Sequence, residues 1–255
     1  KRILSGGAGT QTAGLAMGGE PSSDATELWN GTNWTSVNSL NRSNAYGVGT
    51  GTQTSALYIG GEPFTAATES WNGTNWTELS DLNDPRRQLG GTSTAGSTAA
   101  IVGGGNKPPN ATVPNAENWN GSNWTEVNDM NAQRFALAGS GTYTSLIAFG
   151  GSPTPAPSSH SNLTELWNGT NWATGQGNLN TARYYLGGSG TATAGLAFGG
   201  QPSETATEEF TGAGAAVGAW STGGSLNTAR KNHTASSYGT PTASIAISGE
   251  SSPPD

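Results

Sequence analysis

The sequence predicts an all-β protein in which one four-stranded unit is repeated around a common axis. A pair of glycines that ends an apolar segment recurs at steps of about 42 to 49 residues. All nine tryptophans fall in five copies of one segment, which is clearest as Trp29-Asn30-Gly31-Thr32-Asn33-Trp34. A Leu-Asn-x-x-Arg motif closes most units. Short strands that recur at this spacing cannot bury a face alone, so we expect a ring of small sheets.

The first two predicted strands of a unit follow an arginine. The first consists of small residues, as in Leu186-Gly187-Gly188-Ser189-Gly190, and we place it innermost because glycine permits close approach of backbones. A Thr/Gly turn leads to an apolar second strand that ends in the glycine pair. These pairs are Gly18-Gly19, Gly60-Gly61, Gly103-Gly104, Gly150-Gly151, Gly199-Gly200 and a weaker Ser248-Gly249.

The third and fourth predicted strands form a tryptophan hairpin. The third carries Thr-Glu-x-Trp, as in Thr26-Glu27-Leu28-Trp29, and runs into Asn-Gly, a turn signal because both residues tolerate positive φ. The fourth begins at the second tryptophan. Two large aromatics in the outer part of a unit would cover the seam between neighbouring sheets. The copies span 29–34, 71–76, 119–124, 167–172 and, more loosely, 210–220.

The order of these features resembles the kelch repeat: Arg, an apolar strand ending in Gly-Gly, then Glu, then Trp. The resemblance covers nearly the whole chain, from Arg2 to about Glu250. The Trp-Asn-Gly-Thr-Asn-Trp turn is tighter than the usual kelch turn, and it is similar to a variant in kelch-like proteins of bacteriophages and marine bacteria. The resemblance implies a β-propeller that serves as a binding or scaffolding module.

The repeats predict a single propeller domain over 1–250, with 251–255 as a tail or linker. Six inner strand pairs and five outer pairs predict six blades, one of them half-built. The missing outer pair could come from upstream sequence, because the chain opens inside a repeat. A five-bladed ring with an extra flap is the alternative. The units lie at about 2–41, 42–83, 84–131, 132–180 and 181–227, with a partial unit at 228–250.

Composition narrows the classes of function. A net charge of −7 with few lysines leaves no basic stripe for a nucleic acid partner, and no apolar run approaches the ~20 residues of a membrane span. The lack of cysteine excludes disulfides, cysteine-based zinc sites and thiol nucleophiles. His160 and His233 do not share a repeat position, so we expect no metal site and no cofactor. Abundant Thr, Ser, Asn and Gly favour an extracellular or virion location.

Two repeated sets of residues have both a structural and a functional interpretation. Equal numbers of glutamates and arginines favour ion pairs within or between blades, with a charged ring around a channel as the alternative. The tryptophans favour packing, with sugar-stacking sites in each blade as the alternative. The charged set is Glu27, Glu69, Glu117, Glu165 and Glu208 with Arg2, Arg86, Arg134, Arg183 and Arg230.

The candidate binding site lies on one face of the ring. Because strands alternate in direction, the loops between second and third strands share a face with the Leu-Asn-x-x-Arg connections. These loops differ between units, and we call this the variable loop face; those at 105–116 and 152–163 are long and rich in proline. Variable loops on a rigid scaffold are typical of binding proteins, although neutral drift is the alternative. The candidate binding residues are Glu62, Phe64, Lys107, Asn110, His160, Asn162 and Gln201.

We therefore expect a non-enzymatic binding module exposed outside a cell or on a virion, such as a phage tail-fibre or decoration domain. Its partner would be a glycan or a protein on a cell surface. The alternative is a structural subunit that packs against other virion or assembly subunits. A propeller lectin with one site per blade and an enzyme are disfavoured, the latter because the sequence shows no clustered acid/base set.

Overall fold

A computed structural model of the 255-residue chain describes residues 3, 5–21, 23–92, 96–154, 159–174, 177–202, 205–212, 218–235 and 242–250. These ranges form five four-stranded antiparallel sheets and two two-stranded sheets. They contain no helix long and apolar enough to cross a membrane. The predicted tail at 251–255 lies outside the described residues, as do Arg2 and most of the loosened turn at 213–217.

Each four-stranded sheet, called a blade here, uses strands from one repeat in chain order from the axis outward. Blade 1 contains β1 (Gly6–Gly9), β2 (Gly14–Met17), β3 (Thr26–Trp29) and β4 (Trp34–Val37). Blade 2 contains β5 (Val48–Thr52), β6 (Ser55–Ile59), β7 (Thr68–Trp71) and β8 (Trp76–Glu78). Blade 3 contains β9 (Gly90–Gly91), β10 (Ala100–Gly103), β13 (Ala116–Trp119) and β14 (Trp124–Val127), with a hairpin of β11 (Asn106–Lys107) and β12 (Ala111–Thr112) in its long loop.

The second half of the chain repeats this arrangement. Blade 4 contains β15 (Ala138–Thr142), β16 (Ser145–Phe149), β17 (Thr164–Trp167) and β18 (Trp172–Ala173). Blade 5 contains β19 (Gly187–Gly190), β20 (Ala194–Phe198), β21 (Thr207–Thr211) and β22 (Ala219–Thr222). A two-stranded sheet follows, with β23 (Lys231–Ala235) and β24 (Ala246–Glu250).

The innermost strands pack side by side around the axis. Strand β1 contacts β5, and contacts continue through β9, β15 and β19 to β23, which in turn contacts β1. The prediction of an all-β propeller with four-stranded blades is therefore confirmed. The β23–β24 sheet lies between blade 5 and blade 1, while the outer pair that would make it a full sixth blade stays a prediction.

The inner strands contain glycine for the predicted reason, which is that their backbones approach closely around the axis. A Cβ added to Gly139 of β15 would lie 2.4 Å from the carbonyl oxygen of Gly91 in the neighbouring blade. One added to Gly49 of β5 would lie 2.5 Å from the amide nitrogen of Gly7. Both distances are shorter than any real carbon contact, so side chains larger than hydrogen would push the blades apart at the axis.

The predicted pairing of repeated arginine and glutamate is confirmed in blades 3, 4 and 5, where both members are buried. In blade 4, Arg134 Nη2 lies 2.9 Å from Glu165 Oε1, and Arg134 Nη1 donates to the carbonyl oxygens of Gly150 and Leu163. Glu165 Oε2 accepts from the backbone and side-chain amides of Asn131. Asn131 belongs to the connection from blade 3, so this network joins consecutive blades.

Blade 2 departs from this pattern because Asn44 stands in place of arginine. Asn44 Nδ2 donates to the carbonyl oxygen of Gly60 at 2.8 Å, and Asn41 supplies both of its amides to Glu69. Asn44 thus keeps the contact with the second strand, but its side chain is shorter than that of arginine. Glu69 is bound instead by Asn41 of the preceding connection.

The tryptophans are packing residues, as predicted. The first indole of a hairpin donates to the first turn of its own blade, as Trp71 Nε1 does to the Gln53 carbonyl at 2.9 Å. The second crosses the seam: Trp76 Nε1 donates to Thr26 Oγ1 of blade 1 at 2.9 Å. Trp124 and Trp220 do the same with the equivalent threonines of blades 2 and 4. In blades 2 and 3 the hairpin therefore clamps both its own turn and the neighbouring sheet.

The turn within the hairpin corrects the prediction about asparagine. Only the glycine takes positive φ, 92° at Gly31, whereas Asn30 does not. Asn30 is required for its side chain, because Oδ1 accepts from the backbone amides of Thr32 and Asn33 at 2.9 Å each. This is an Asx-type turn, and the other intact copies share it.

Candidate functional site

A ring of strained backbone surrounds the axis on the variable loop face. In each unit from the second onward, the second residue after the repeat's arginine, or after Asn44, has left-handed backbone without being glycine. These five mouth residues are Tyr46 (φ 59°), Gln88 (59°), Ala136 (51°), Tyr185 (53°) and Asn232 (54°). Such conformations cost about 1–3 kcal/mol each and cluster at functional sites.

Hydrogen bonds between neighbouring blades hold four of these residues, Tyr46 to Tyr185, in place. Gln88 N donates to the Tyr46 carbonyl at 2.8 Å, and Ala136 N donates to the Gln88 carbonyl at 2.8 Å. Tyr185 N donates to the Ala136 carbonyl at 2.9 Å. Because each bond joins two blades, the side chains that surround the axis are fixed by the ring and not by a single loop.

Beneath the mouth residues lies an axial cavity of about 140 Å³. Its walls are inner strands, with Leu89, Leu137, Leu186 and His233 at equivalent positions. Pockets that enclose small organic ligands usually measure about 300–1,000 Å³. A ligand of that size would therefore contact the mouth from outside.

Aromatic rings gather on one side of the mouth. The centroids of Tyr184 and Tyr185 lie 4.8 Å apart, and Phe135 meets Tyr185 edge-on at 6.5 Å. His160 stacks on Tyr184 with 4.9 Å between centroids and 24° between planes. Tyr184 Oη donates to Gln201 Oε1 at 2.5 Å. Loops of blades 4 and 5 thus fix the orientation of Tyr184.

On the other side, Arg87 is the centre of a second group. Its guanidinium lies 4.3 Å from the centroid of Phe64 and 5.9 Å from that of Tyr46. It forms an ion pair with Glu62, and Nη2 lies 3.3 Å from Asn110 Oδ1. A cation held over aromatic faces and against a carboxylate is both oriented and neutralised.

Gln88 connects the two groups. Its side-chain nitrogen donates to Tyr185 Oη, and its oxygen accepts from Asn106 Nδ2 at 3.1 Å. Because the Gln88 backbone amide also donates to the Tyr46 carbonyl, the mouth is one continuous polar and aromatic network across blades 2 to 5.

The electrostatics of the mouth favour neutral side chains. Burial raises the pKa of Tyr46 well above its ordinary value, and the neighbouring Tyr185 and Glu20 raise it further. Burial also raises the pKa of Tyr185 to about 12, with a smaller contribution from Tyr184. Both side chains are thus neutral phenols at ordinary pH, able to donate and accept hydrogen bonds.

The structure brings five of the seven predicted binding residues to these two groups. Glu62, Phe64 and Asn110 surround Arg87, while His160 and Gln201 contact Tyr184. Lys107 lies in the β11–β12 hairpin with Nζ 3.4 Å from Asp84 Oδ2. Asn162 has a contact within the scaffold, where Nδ2 donates to the Leu179 carbonyl at 3.2 Å.

The residues nearest the axis were not among the predicted ones. Tyr46, Arg87, Gln88, Tyr184 and Tyr185 occupy the first two positions after the repeat's arginine, or after Asn44, between the motif that closes one unit and the first strand of the next, where no binding residue was predicted. A signal was present: these two positions vary from unit to unit between constant flanks, as Arg87-Gln88, Phe135-Ala136, Tyr184-Tyr185 and Lys231-Asn232.

Comparison with protein-family models and with curated proteins gives no match. Among solved structures, one described as "Structure of YjhT" matches with a TM-score of 0.77 over 98% of this chain and 91% of that chain. The two sequences are 11% identical. At this identity the likeness concerns the fold alone, and it agrees with a propeller of four-stranded blades.

Proposed function

We propose that this chain is a non-enzymatic binding module that recognises a neutral glycan at the mouth of its propeller. The observation that carries this proposal is the group of Tyr46, Gln88 and Tyr185 on left-handed, cross-braced backbone, together with the adjacent Arg87 and Tyr184. Tyrosine offers an apolar face for the C–H side of a sugar ring and a hydroxyl for its edge. Amide and guanidinium groups supply the directional hydrogen bonds that a polyol requires.

The charges at the mouth favour a neutral ligand over an ionic one. Arg87 is already paired with Glu62, and Tyr46 and Tyr185 present neutral phenols whose pKa burial raises further. A strongly charged ligand would have to displace this pairing and bring its own charge onto a partly desolvated surface. Phe64, Asn110, His160 and Gln201 extend the same surface over the loops.

The repeated carboxylates support a non-enzymatic role, because they are engaged as scaffold. Glu165, for example, accepts from Arg134, Asn131 and Ala132 and is buried. A carboxylate saturated by donors away from the mouth is not placed to exchange protons with a ligand there.

For the biological setting, we propose a kelch-type repeat in an extracellular or virion protein, such as a phage tail-fibre or decoration domain. Support comes from the Arg, Gly-Gly, Glu and Trp pattern and from a surface composition rich in Thr, Ser, Asn and Gly. The partner would then be a glycan of a cell surface.

A glycan array followed by calorimetry with the best ligand tests this proposal. Tyr185→Ala should weaken binding at least tenfold, because it removes the ring that joins the two groups of the mouth. The backbone should tolerate alanine, since Ala136 has the same left-handed conformation in the neighbouring blade. Tyr143→Ala is the matched control: Tyr143 is exposed on the opposite face and should bind as wild type.

Three outcomes contradict the proposal. Binding that Tyr185→Ala leaves unchanged would place the site elsewhere. Silence on every glycan, with capture of a cell-surface protein, would identify a protein ligand. Silence on both, with the chain recovered in a larger particle, would favour the structural assembly subunit.

A further inference from the structure

A groove of about 570 Å³ separates the β23–β24 sheet from blade 1. One wall consists of Ile245, Ala246, Ile247 and Gly249, along and next to β24, and the opposite wall includes Glu27 and Trp34 of blade 1, as the lining residues show. Arg230 lies at the end of the connection from blade 5 and also lines the groove. In the other blades this space is occupied by third and fourth strands.

Trp34 shows what the groove lacks. It is the second tryptophan of blade 1 and is 37% exposed, whereas its counterparts in blades 2 to 5 are 6–7% exposed. Those counterparts are buried by the third strand of the preceding blade. For three of them the indole N–H donates to a threonine hydroxyl on that strand: Trp76 to Thr26, Trp124 to Thr68 and Trp220 to Thr164.

The second wall of the groove is a strand edge. Within the described residues β24 pairs with β23 alone, whereas the second strand of each other blade is paired on both sides. An unpaired edge presents backbone donors and acceptors that an added strand can satisfy. The groove thus combines an open β edge with an uncovered indole.

We propose that this groove binds a β-hairpin that carries the outer-strand sequence of this repeat, Thr-Glu-x-Trp followed by a turn and a second Trp. The hairpin adds to the edge of β24 and covers Trp34. Binding here is independent of glycan recognition at the mouth, because the groove lies toward the outside of the ring and uses different residues.

The repeat also defines the register. In blades 1, 2, 4 and 5 the third-strand threonine lies opposite the apolar residue before the glycine pair, as Thr207 lies opposite Phe198. Ile247 takes that position in β24, since it pairs with Thr234 as Phe198 pairs with Gly187. The threonine of the bound hairpin therefore lies opposite Ile247 and its glutamate opposite Ala246.

One side chain of the groove then gains the partner that the repeat prescribes. Trp34 Nε1 donates to the hydroxyl of the added threonine. Arg230 occupies the repeat position of Arg134 and Arg183, each of which binds the third-strand glutamate of its own blade. By the same repeat geometry the added glutamate lies on the side of the groove that Arg230 lines.

The test uses a peptide with the sequence of residues 66–83, which contains Thr68, Glu69, Trp71 and Trp76, added to the 255-residue protein. Hydrogen exchange should slow at least tenfold for backbone amides of β24, and the indole N–H of Trp34 should become protected. Trp34→Phe in the protein should weaken binding about fivefold, as expected for one buried hydrogen bond. Trp76→Phe, whose threonine partner is already present in blade 1, should leave the affinity unchanged.

A double-mutant cycle sharpens the assignment. A peptide with Thr68→Val should also bind about fivefold more weakly to the wild-type protein. The Trp34→Phe protein should bind this peptide and the wild-type peptide with equal affinity. Additive losses would show that these two groups do not meet, and would overturn the proposed register.

Fusion of the same peptide to the amino terminus through a flexible Gly/Ser linker removes dependence on the affinity of the free peptide. The fused protein should unfold at higher urea concentration than a fusion with the scrambled peptide. Equal midpoints would overturn the proposal. So would a dimer that forms through this groove and that the peptide fails to displace.

Discussion

At the scale of single residues, the buried arginine–glutamate pairs are the part of the molecule most sensitive to change. In blade 4, Arg134 and Glu165 are completely buried, and burial lowers the pKa of Arg134 while Glu165 opposes that shift. Removing one member leaves an uncompensated charge where water cannot reach it. The repeat therefore depends on both members being present together.

We expect Glu165→Gln to lower the free energy of unfolding by about 3–5 kcal/mol, because Arg134 would keep its charge without a counterion. Urea unfolding measures this. Glu78→Gln is a matched control, since Glu78 forms a surface ion pair with Arg42 at 2.6 Å with side chains about half exposed. That change should cost less than about 1 kcal/mol. Similar costs for both would show that burial does not determine the effect.

The sequence predicts these pairs but not the mouth, for a physical reason. Arg134 and Glu165 recur with the repeat, so equal copy number indicates pairing. Tyr46 and Tyr185 acquire their roles from a left-handed backbone that is fixed by hydrogen bonds between blades. Those bonds form only when the ring assembles, so the variation of these positions between units does not by itself reveal their role.

At the scale of elements, the seam between two blades depends on one hydroxyl and one indole. Blade 3 lacks the hydroxyl, because Ala116 stands where the other blades have threonine. Within the described part of the chain, Trp172 Nε1 of blade 4 is accordingly buried without a hydrogen-bond partner. A buried donor left unsatisfied costs about 1–3 kcal/mol.

We therefore expect Ala116→Thr to raise the free energy of unfolding by about 1 kcal/mol by giving Trp172 an acceptor. Both residues belong to the same apolar cluster, so the new hydroxyl enters an existing contact. Ala116→Val has the same shape without the hydroxyl and should bring no such gain. A gain of equal size from valine would attribute the effect to packing. Chemical denaturation of the three proteins in parallel makes the comparison.

The order of strands in each blade was predictable because glycine, apolar and tryptophan segments alternate with constant spacing. The inner position of Gly139 and the outer position of Trp167 both follow from that order. The prediction that Asn30 is present because it tolerates positive φ was wrong. The turn needs the side-chain oxygen of Asn30 and not a left-handed backbone at that residue. Sequence preference for Asn-Gly does not distinguish these two uses.

At the scale of the whole molecule, ring closure depends on the β23–β24 sheet, and His233 lies at that junction. It occupies the position held by Leu89, Leu137 and Leu186 in three blades, and its Nε2 lies 3.1 Å from the Phe198 carbonyl of blade 5. Burial lowers the pKa of His233 to about 4, with smaller lowering effects from Arg230 and Arg183, while the bond to Phe198 opposes the shift.

Lowering the pH should therefore reduce the free energy of unfolding even at pH values where His233 is still neutral in the folded protein. Below pH about 6.5 His233 is protonated in the unfolded chain, whereas in the folded chain it stays neutral down to about pH 4. The free energy of unfolding therefore falls as pH falls through this window. Between pH 7 and pH 5 we expect a loss of about 2 kcal/mol. His233→Leu should remove most of this loss, whereas His160→Gln, at a half-buried loop site, should keep it. Unfolding by urea at the two pH values tests this, and an unchanged slope in His233→Leu would contradict it.

The mouth residues have a consequence for how this protein could change its ligand. The same backbone conformation accommodates tyrosine, glutamine, alanine and asparagine in successive blades. Side chains at these positions can therefore differ with little effect on folding, since the hydrogen bonds that hold this backbone come from the main chain. A new specificity can arise by exchanging side chains around the axis, one blade at a time, while the scaffold stays the same.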